Sequence, residues 1–486
     1  MSARRVRWSV FLVLLLVAGS AWAWWAYDLA DYLPPPRSGP FLATPYLQLG
    51  ENPAPDALTL LWLADDRDAR WSVELRSPLE AAWRTLAAPT FKRIALDQLE
   101  PHRIYRSVLS GLTPGEPFLY RVSLDGAVVF ETKAKSPPAA GKPQRFVAFG
   151  DCGSDTSGQR RVAYQTDRLD PDSVLITGDI VYMHGRASQY RRKFFPIYGA
   201  ANASPGAGAP LLSSRVFIGV PGNHDLMVNN FDENADLMAY YYDWSQPLNG
   251  PITDGLARNA PPLKGNAARQ RGFLEAAGAN FPRMSNFSFD MGDVHWTILD
   301  ANPYVHWSDP ELRAWLAADL AAAKQKPWRF VSFHQPGFHS SKAHSGEQQM
   351  RLVADILERG GVSIVFSGHV HNYQRTYPLT FAATTYPDAH APEPSTPVDG
   401  SWTLDKAYDD TTATRPAGVI YLVTGAGGER LYDVAQNDDP VSWKPFTRKF
   451  VSDVYSLTVV DVTPEKVTVR QLDSDGIEID RFAVAR

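Results

Sequence analysis

Residues 173–182 read SVLITGDIVY. A short run of aliphatic and β-branched residues, too short for a helix, ends at a glycine and then an aspartate. Such a run reads as a buried strand whose last residues turn out of the sheet. The arrangement recurs four more times. RFVAFG precedes Asp151, RVFIGVPG precedes Asn223, His224 and Asp225, WRFVSF precedes His334, and VSIVFSG precedes His369 and His371. In α/β sheets the crevice outside the carboxyl ends of the strands is where ligands bind. Five strands therefore deliver carboxylates, an amide and imidazoles to one rim. That composition suits a pair of metal ions about 3.5–4 Å apart, the spacing used to transfer a phosphoryl group to water. Alone, Gly222-Asn223-His224-Asp225 is an ordinary turn, and a lone strand histidine is commonly a core residue. The five segments in this order are not explained that way.

The ordered set resembles the calcineurin-like metallophosphoesterases and, within them, the purple acid phosphatases. Most metallophosphoesterases open with Asp-x-His, whose histidine is a ligand. Here the segment is Asp151-Cys152-Gly153, and Tyr182 stands three residues after Asp179, as the purple acid phosphatase pattern Gly-Asp-x-x-Tyr requires. The loss and the replacement occur together. The similarity continues through SNFSFDMGDVHWTILD (285–300) and VIYLVTGAGG (419–428).

The resemblance implies two clusters. Asp151, Asp179, Tyr182 and His371 form a hard, anionic set suited to Fe(III). Asp179, Asn223, His334 and His369 suit a divalent ion (Zn, Mn or Fe(II)), with Asp179 bridging. It implies hydrolysis of phosphomonoesters by attack of a metal-bound hydroxide. His224 is placed to protonate the leaving oxygen, Asp225 to orient that imidazole, and His344 to contact substrate or leaving group. His339 and His184 are further candidates, and Tyr373 and Arg375 face either substrate or protein. Cys152 reads as a small buried apolar residue. A phosphodiesterase for nucleotides or glycerophospho-compounds would use the same metals. A non-enzymatic binding protein is the reading of another class, and the intact ligand set argues against it.

At 486 residues the chain is long enough for two or three domains. Its 44% hydrophobic and 21% charged content is that of a globular protein. The net charge of −5 comes without a basic block, so no nucleic-acid partner is expected, and the resemblance implies a small phosphate ester as the partner. One cysteine excludes an internal disulfide. Arg4, Arg5 and Arg7 precede a run without charge from Trp8 to Tyr27. Two readings stay open for residues 1–27: a secretory signal cleaved after Ala23, or an uncleaved anchor with Trp22, Trp24, Trp25 and Tyr27 at the interface. Only the second involves a membrane. Both place the catalytic part outside the cytoplasm: periplasmic, secreted or anchored on the outer face.

A Pro-rich linker spans 28–40. Six or seven short strands over 41–136 predict an all-β sandwich similar to a fibronectin-III domain, with the role of scaffold and spacer. Residues 136–141 read as an interdomain linker. The catalytic α/β domain spans 143–486, for which the resemblance implies two stacked mixed sheets flanked by helices. Helical spacing is expected over 310–326 and 346–359. Two long loops, at about 226–285 with Met238–Trp244 and at 382–415 with Tyr386, His390 and Trp402, are candidate lids. The final VYSLTVVDVTPEKVTVRQLD predicts a hairpin closing the sheet.

Overall fold

The computed structural model describes residues 37–251, 259–386, 397–412 and 414–486. The signal or anchor segment, most of the Pro-rich linker, His390 and part of each long loop lie outside the described residues.

Among the described residues, twenty-five strands make the frame. The first eight are β1 (Phe41–Gln48), β2 (Ala57–Asp65), β3 (Trp71–Arg76), β4 (Arg84–Thr85), β5 (Thr90–Ile94), β6 (His102–Ser110), β7 (Pro117–Leu124) and β8 (Ala127–Lys135). There follow β9 (Gln144–Phe149), β10 (Ser173–Ile176), β11 (Gly199–Ser204), β12 (Gly208–Pro210), β13 (Val216–Gly219), β14 (Phe287–Met291), β15 (Val294–Ile298) and β16 (Trp328–Ser332). The rest are β17 (Ile364–Ser367), β18 (Tyr373–Thr376), β19 (Leu379–Ala383), β20 (Gly400–Leu404), β21 (Ile420–Thr424), β22 (Thr447–Val451), β23 (Ser456–Val462), β24 (Lys466–Asp473) and β25 (Glu478–Ala485).

Two large sheets stack. One has the order β25-β24-β23-β9-β10-β13-β1-β2-β6-β5, the other β14-β15-β16-β17-β21-β18-β22. β9, β10 and β13 run parallel, as do β15, β16, β17 and β21. Parallel neighbours end on the same side, so the polar residues after β9, β10, β13, β16 and β17 reach one rim. The sheets meet through aromatic packing: the Phe146 ring lies 5.0 Å from Trp296, 5.9 Å from Phe330 and 5.6 Å from Phe366. The C-terminal hairpin adds β23 to the β9 edge in antiparallel register, as expected, and β25 extends it.

The N-terminal strands form all-β sheets, but not a detached spacer. β3, β4, β7 and β8 make a sheet of their own, whereas β1, β2, β5 and β6 continue the catalytic ten-stranded sheet. The join is a parallel β1–β13 pair, with Leu47 opposite Val216. One apolar core runs through Trp62, Tyr105, Phe146, Ile218 and Phe366. The expected linker is fixed as well. Ser136, Pro137 and Pro138 are buried. Ser136 Oγ donates to the carbonyls of Thr113 (2.7 Å) and Glu116 (2.8 Å).

The first long loop also differs from expectation. Residues 240–243 form a short helix whose tyrosines are buried. Tyr240 Oη donates to Gly219 O at 3.1 Å and Met284 O at 3.0 Å. A tyrosine buried with its hydroxyl satisfied is core, so this stretch is not a lid. In the second loop, Trp402 packs edge-on against Phe446 at 5.5 Å, and the Arg313 guanidinium lies 5.1 Å from the Tyr386 ring. Neither contact is with a residue of the rim. Of the two expected helices, Pro310–Ala322 forms and is capped by the Asp309 carboxylate. The other shrinks to Ala354–Arg359 behind a 3₁₀ turn, Gln349–Val353, because residues 344–347 close a separate turn, with Glu347 N–H donating to His344 O at 2.9 Å.

Candidate metal centre

All seven expected ligands converge, in the two expected clusters. Tyr182 Oη lies 3.0 Å from Asp151 Oδ1, 3.0 Å from Asp179 Oδ2 and 3.0 Å from His371 Nε2. On the other side of Asp179, His334 Nε2 lies 3.2 Å from its Oδ2 and 3.1 Å from Asn223 Oδ1. His369 Nδ1 lies 3.0 Å from the same amide oxygen. Asp179 belongs to both sets.

The backbone is bent to achieve this. Asp151 (φ 55°), Asp179 (φ 49°) and His369 (φ 70°) all occupy the left-handed region immediately after their strands. Non-glycine residues there cost on the order of 1–3 kcal/mol each and cluster at functional sites. Glycine supplies the clearance at two points. A Cβ on Gly222 would sit 2.2 Å from Asp179 Oδ1, and one on Gly178 would sit 2.4 Å from His334 Nδ1. Asn302 steadies the 222–225 turn by donating from Nδ2 to Gly222 O at 3.2 Å.

Outer partners set the imidazole tautomers. His334 Nδ1 donates to Thr177 O (2.8 Å) and His371 Nδ1 donates to Arg430 O (2.6 Å), which leaves each Nε2 facing the cluster. His369 is reversed: Nε2 meets Glu347 Oε2 at 2.8 Å, which leaves Nδ1 facing the cluster. Such partners are a regular feature of metal-binding histidines. In their neutral forms these rings set lone pairs against lone pairs: His369 Nδ1 against Asn223 Oδ1, and His334 Nε2 against Asn223 and Asp179. Buried acceptors converge in this way only with a proton or a metal cation among them. The donor set therefore fits metal ions.

The electrostatics agree. Burial alone would raise the Asp179 carboxyl, but the neighbouring His334 and His224 charges pull it well below the usual range. Burial would lower His334, yet Asp179 and Asp151 outweigh it and push its pKa up to about 10. The anionic rim thus draws a positive charge even from a buried imidazole. Burial drives the Tyr182 phenol far up, and Asp151 and Asp179 add to it. Only a cation at its oxygen would hold that phenol as phenolate.

His224 stands over Tyr182, with ring centroids 4.5 Å apart. Nδ1 donates to Met183 O at 2.7 Å, and Nε2 lies 4.0 Å from Asp179 Oδ2. Asp225 does not orient this ring, contrary to expectation. It is buried and accepts from Ile180 N–H at 3.2 Å and Gly222 N–H at 3.0 Å, tying the two ligand turns together. Burial, then Asp179, raise its pKa to about 7. His344 reaches the rim, its ring 4.1 Å from that of His369. His339 is buried, and burial lowers its pKa to about 3. The backbone N–H of His184, next but one to Tyr182, donates to Gln189 Oε1 at 3.0 Å. Tyr373 and Arg375 face protein: both bind Asp480, at 2.8 and 2.7 Å. Cys152 is buried, and burial raises its thiol.

Two rim residues escaped the sequence. Tyr432 stacks on His371 at 3.9 Å and 12°, four residues beyond the GAGG turn. Glu347 joins His344 and His369. Their only signal was nearness in sequence to motif residues, which does not show direction.

Two stacked mixed sheets with seven such donors at one rim are an arrangement that suits a metallophosphoesterase. The calcineurin-like phosphoesterase family model matches residues 144–373. The chain carries a calcineurin-like metallophosphoesterase domain, related to the purple acid phosphatases and preceded by an N-terminal β-sandwich region. An uncharacterized protein of Mycobacterium tuberculosis is 25% identical, across 81% of this chain and 70% of that one. Purple acid phosphatase 21 of Arabidopsis thaliana is 27% identical, across 68% of this chain and 59% of that protein. Among solved structures, the purple acid phosphatase PPD1 of yellow lupin (Lupinus luteus) superposes with a TM-score of 0.63 at 19% identity, covering 91% of this chain and 74% of that one. PhoD superposes at 0.54 and 13% identity, covering 92% and 93%. These two likenesses concern the fold.

Proposed function

We propose that this protein is an exported binuclear-metal phosphatase that hydrolyses phosphomonoesters, with Fe(III) in one cluster and a divalent ion (Zn, Mn or Fe(II)) in the other. The observation that carries this reading is the convergence of Tyr182 Oη on Asp151, Asp179 and His371 at 3.0 Å each. Two carboxylates and a phenol are hard donors that favour a trivalent ion, whereas Asn223, His334 and His369 favour a divalent one. When bound, the ions supply Lewis acidity toward the phosphoryl group and a strong nucleophile drawn from water.

The chain's own residues do the rest. Asp179, whose Oδ2 lies near both Tyr182 Oη and His334 Nε2, would be the carboxylate common to the two ions. His224 commits Nδ1 to Met183 O, so the proton it can give is on Nε2, which faces the rim. There it protonates the departing oxygen of an alkyl ester. Asp225 holds the 180 and 222 turns in register, and His344 faces the substrate beside His369. The names of the plant relatives support the phosphatase reading. The basic residues and the uncharged run at 1–27 support export.

The test is a colour. A phenolate on Fe(III) absorbs in the visible by charge transfer. Aerobically purified, iron-loaded protein should be violet to pink, and Tyr182→Phe should lose the band while keeping some metal. An iron-loaded wild type without the band would remove the Tyr182 assignment.

A further inference from the structure

We propose that Glu347 is a positioning residue shared by two histidines, coupling occupancy of the divalent cluster to the placement of His344. The inference rests on the binuclear reading above. The two carboxylate oxygens are used separately. Oε2 meets His369 Nε2 at 2.8 Å and Oε1 meets His344 Nδ1 at 2.7 Å. An ionised carboxylate only accepts hydrogen bonds. Both imidazoles must therefore place their N–H on Glu347, so His369 presents Nδ1 to the cluster and His344 directs Nε2 away from the carboxylate. The three groups also lie close enough together to hold an ion by themselves. Glu347 and the His369 tautomer keep that set in the service of the cluster beyond.

Little else holds His344. Ser345 and Gly346 are exposed, and the His344 side chain is 34% exposed. Its backbone is left-handed, at φ 58°. The turn is closed by the Glu347 N–H on His344 O at 2.9 Å, and the ring otherwise lies 4.1 Å from that of His369 and 5.9 Å from that of Tyr432. The residue that orients a ligand of one ion thus also anchors an exposed, strained turn. Glutamine keeps the size but offers one acceptor oxygen, so it can serve one imidazole. Aspartate is a methylene too short to reach both.

The experiment uses Zn(II) as the probe ion. Its dissociation constant is measured by chelator competition on iron-loaded wild type, Glu347→Ala, Glu347→Gln and His344→Ala. The visible band reports the other cluster, and inorganic phosphate affinity reports the rim. Loss of an outer partner costs about 10–100-fold in metal affinity. Glu347→Ala should lose that much for Zn(II) with its band retained, and Glu347→Gln should fall between it and wild type. His344→Ala should weaken phosphate, and adding it to Glu347→Ala should weaken phosphate little further, since the two act as one unit. Wild-type Zn(II) affinity in Glu347→Ala, or fully additive phosphate losses in the double variant, would overturn the proposal. A wild type that takes up no second ion would overturn the binuclear reading itself, before any variant is compared.

Discussion

Replacing His295 with asparagine should flatten the alkaline side of the protein's stability profile. His295 lies on β15 opposite Asp290 of β14. Nδ1 is 2.8 Å from Asp290 Oδ1, and Nε2 is 3.1 Å from Asp319 Oδ2 on the helix Pro310–Ala322. Asp319 also accepts from Ser288 Oγ at 2.6 Å and Thr297 Oγ1 at 2.8 Å. The imidazole is therefore a charged clasp between the helix and the outer strands of the seven-stranded sheet. Burial would lower its pKa, but the two carboxylates outweigh that and raise it from 6.5 to about 9. At about 1.4 kcal/mol per pK unit, the difference amounts to roughly 3 kcal/mol. The His295 side chain is only 10% exposed, but that of Asp290 is 53% exposed. Solvent screens the Asp290 share, so about 2 kcal/mol is expected. Because the folded pKa is the higher one, the folded state holds the extra proton. The stabilisation is fully present below about pH 6.5 and disappears as pH rises through about 9. Urea unfolding at about pH 6 and about pH 9.5 in equal salt measures it for both proteins. Wild type should lose about 2 kcal/mol more than His295→Asn across that interval. Equal pH dependence in the two would show that the imidazole is not held charged by this pair.

Other outcomes follow from the rim and the shared sheet. His224→Ala should keep both metals and lose about 10²–10⁴-fold on alkyl phosphates, but much less on nitrophenyl phosphate, whose phenolate leaves unaided. Equal losses of kcat/KM on both esters would mean that Nε2 positions phosphate or metal instead of giving a proton. Asp179→Asn should weaken both ions and lower turnover at least about 10²-fold, judged against the 10–100-fold cost of outer-partner changes. Normal metal content together with normal turnover would contradict the shared carboxylate. Removing residues 37–136 should leave β13 without its β1 partner and expose the core around Phe146 and Ile218. A soluble remainder binding two metals would show that the β1–β13 junction is dispensable.

How far the sequence carried the structure depended on whether the chain or its surroundings set each feature. The strand ends at Asp151, Asp179, Asn223, His334 and His369 were readable because strand, turn and ligand are adjacent in sequence, and parallel pairing does the rest. The sandwich strands were readable one by one, but their fusion to the catalytic sheet was not. It rests on the pairing of Leu47 with Val216, far apart in sequence. Met238–Trp244 misled for a related reason. Three tyrosines in a polar, glycine-rich loop read as surface until Gly219, Met284 and Ser285 appear as partners for the hydroxyls of Tyr240 and Tyr241. Asp225 shows the limit most clearly. Its adjacency to His224 suggested a carboxylate–imidazole pair. Yet neighbours on a short helix point in different directions, and residues 223–226 form one. The side chain of Asp225 turns inward to Ile180 and Gly222, while that of His224 turns outward to Met183 and the rim. A motif thus records which donors are delivered to a site, and the turn that follows each strand decides which of them face it.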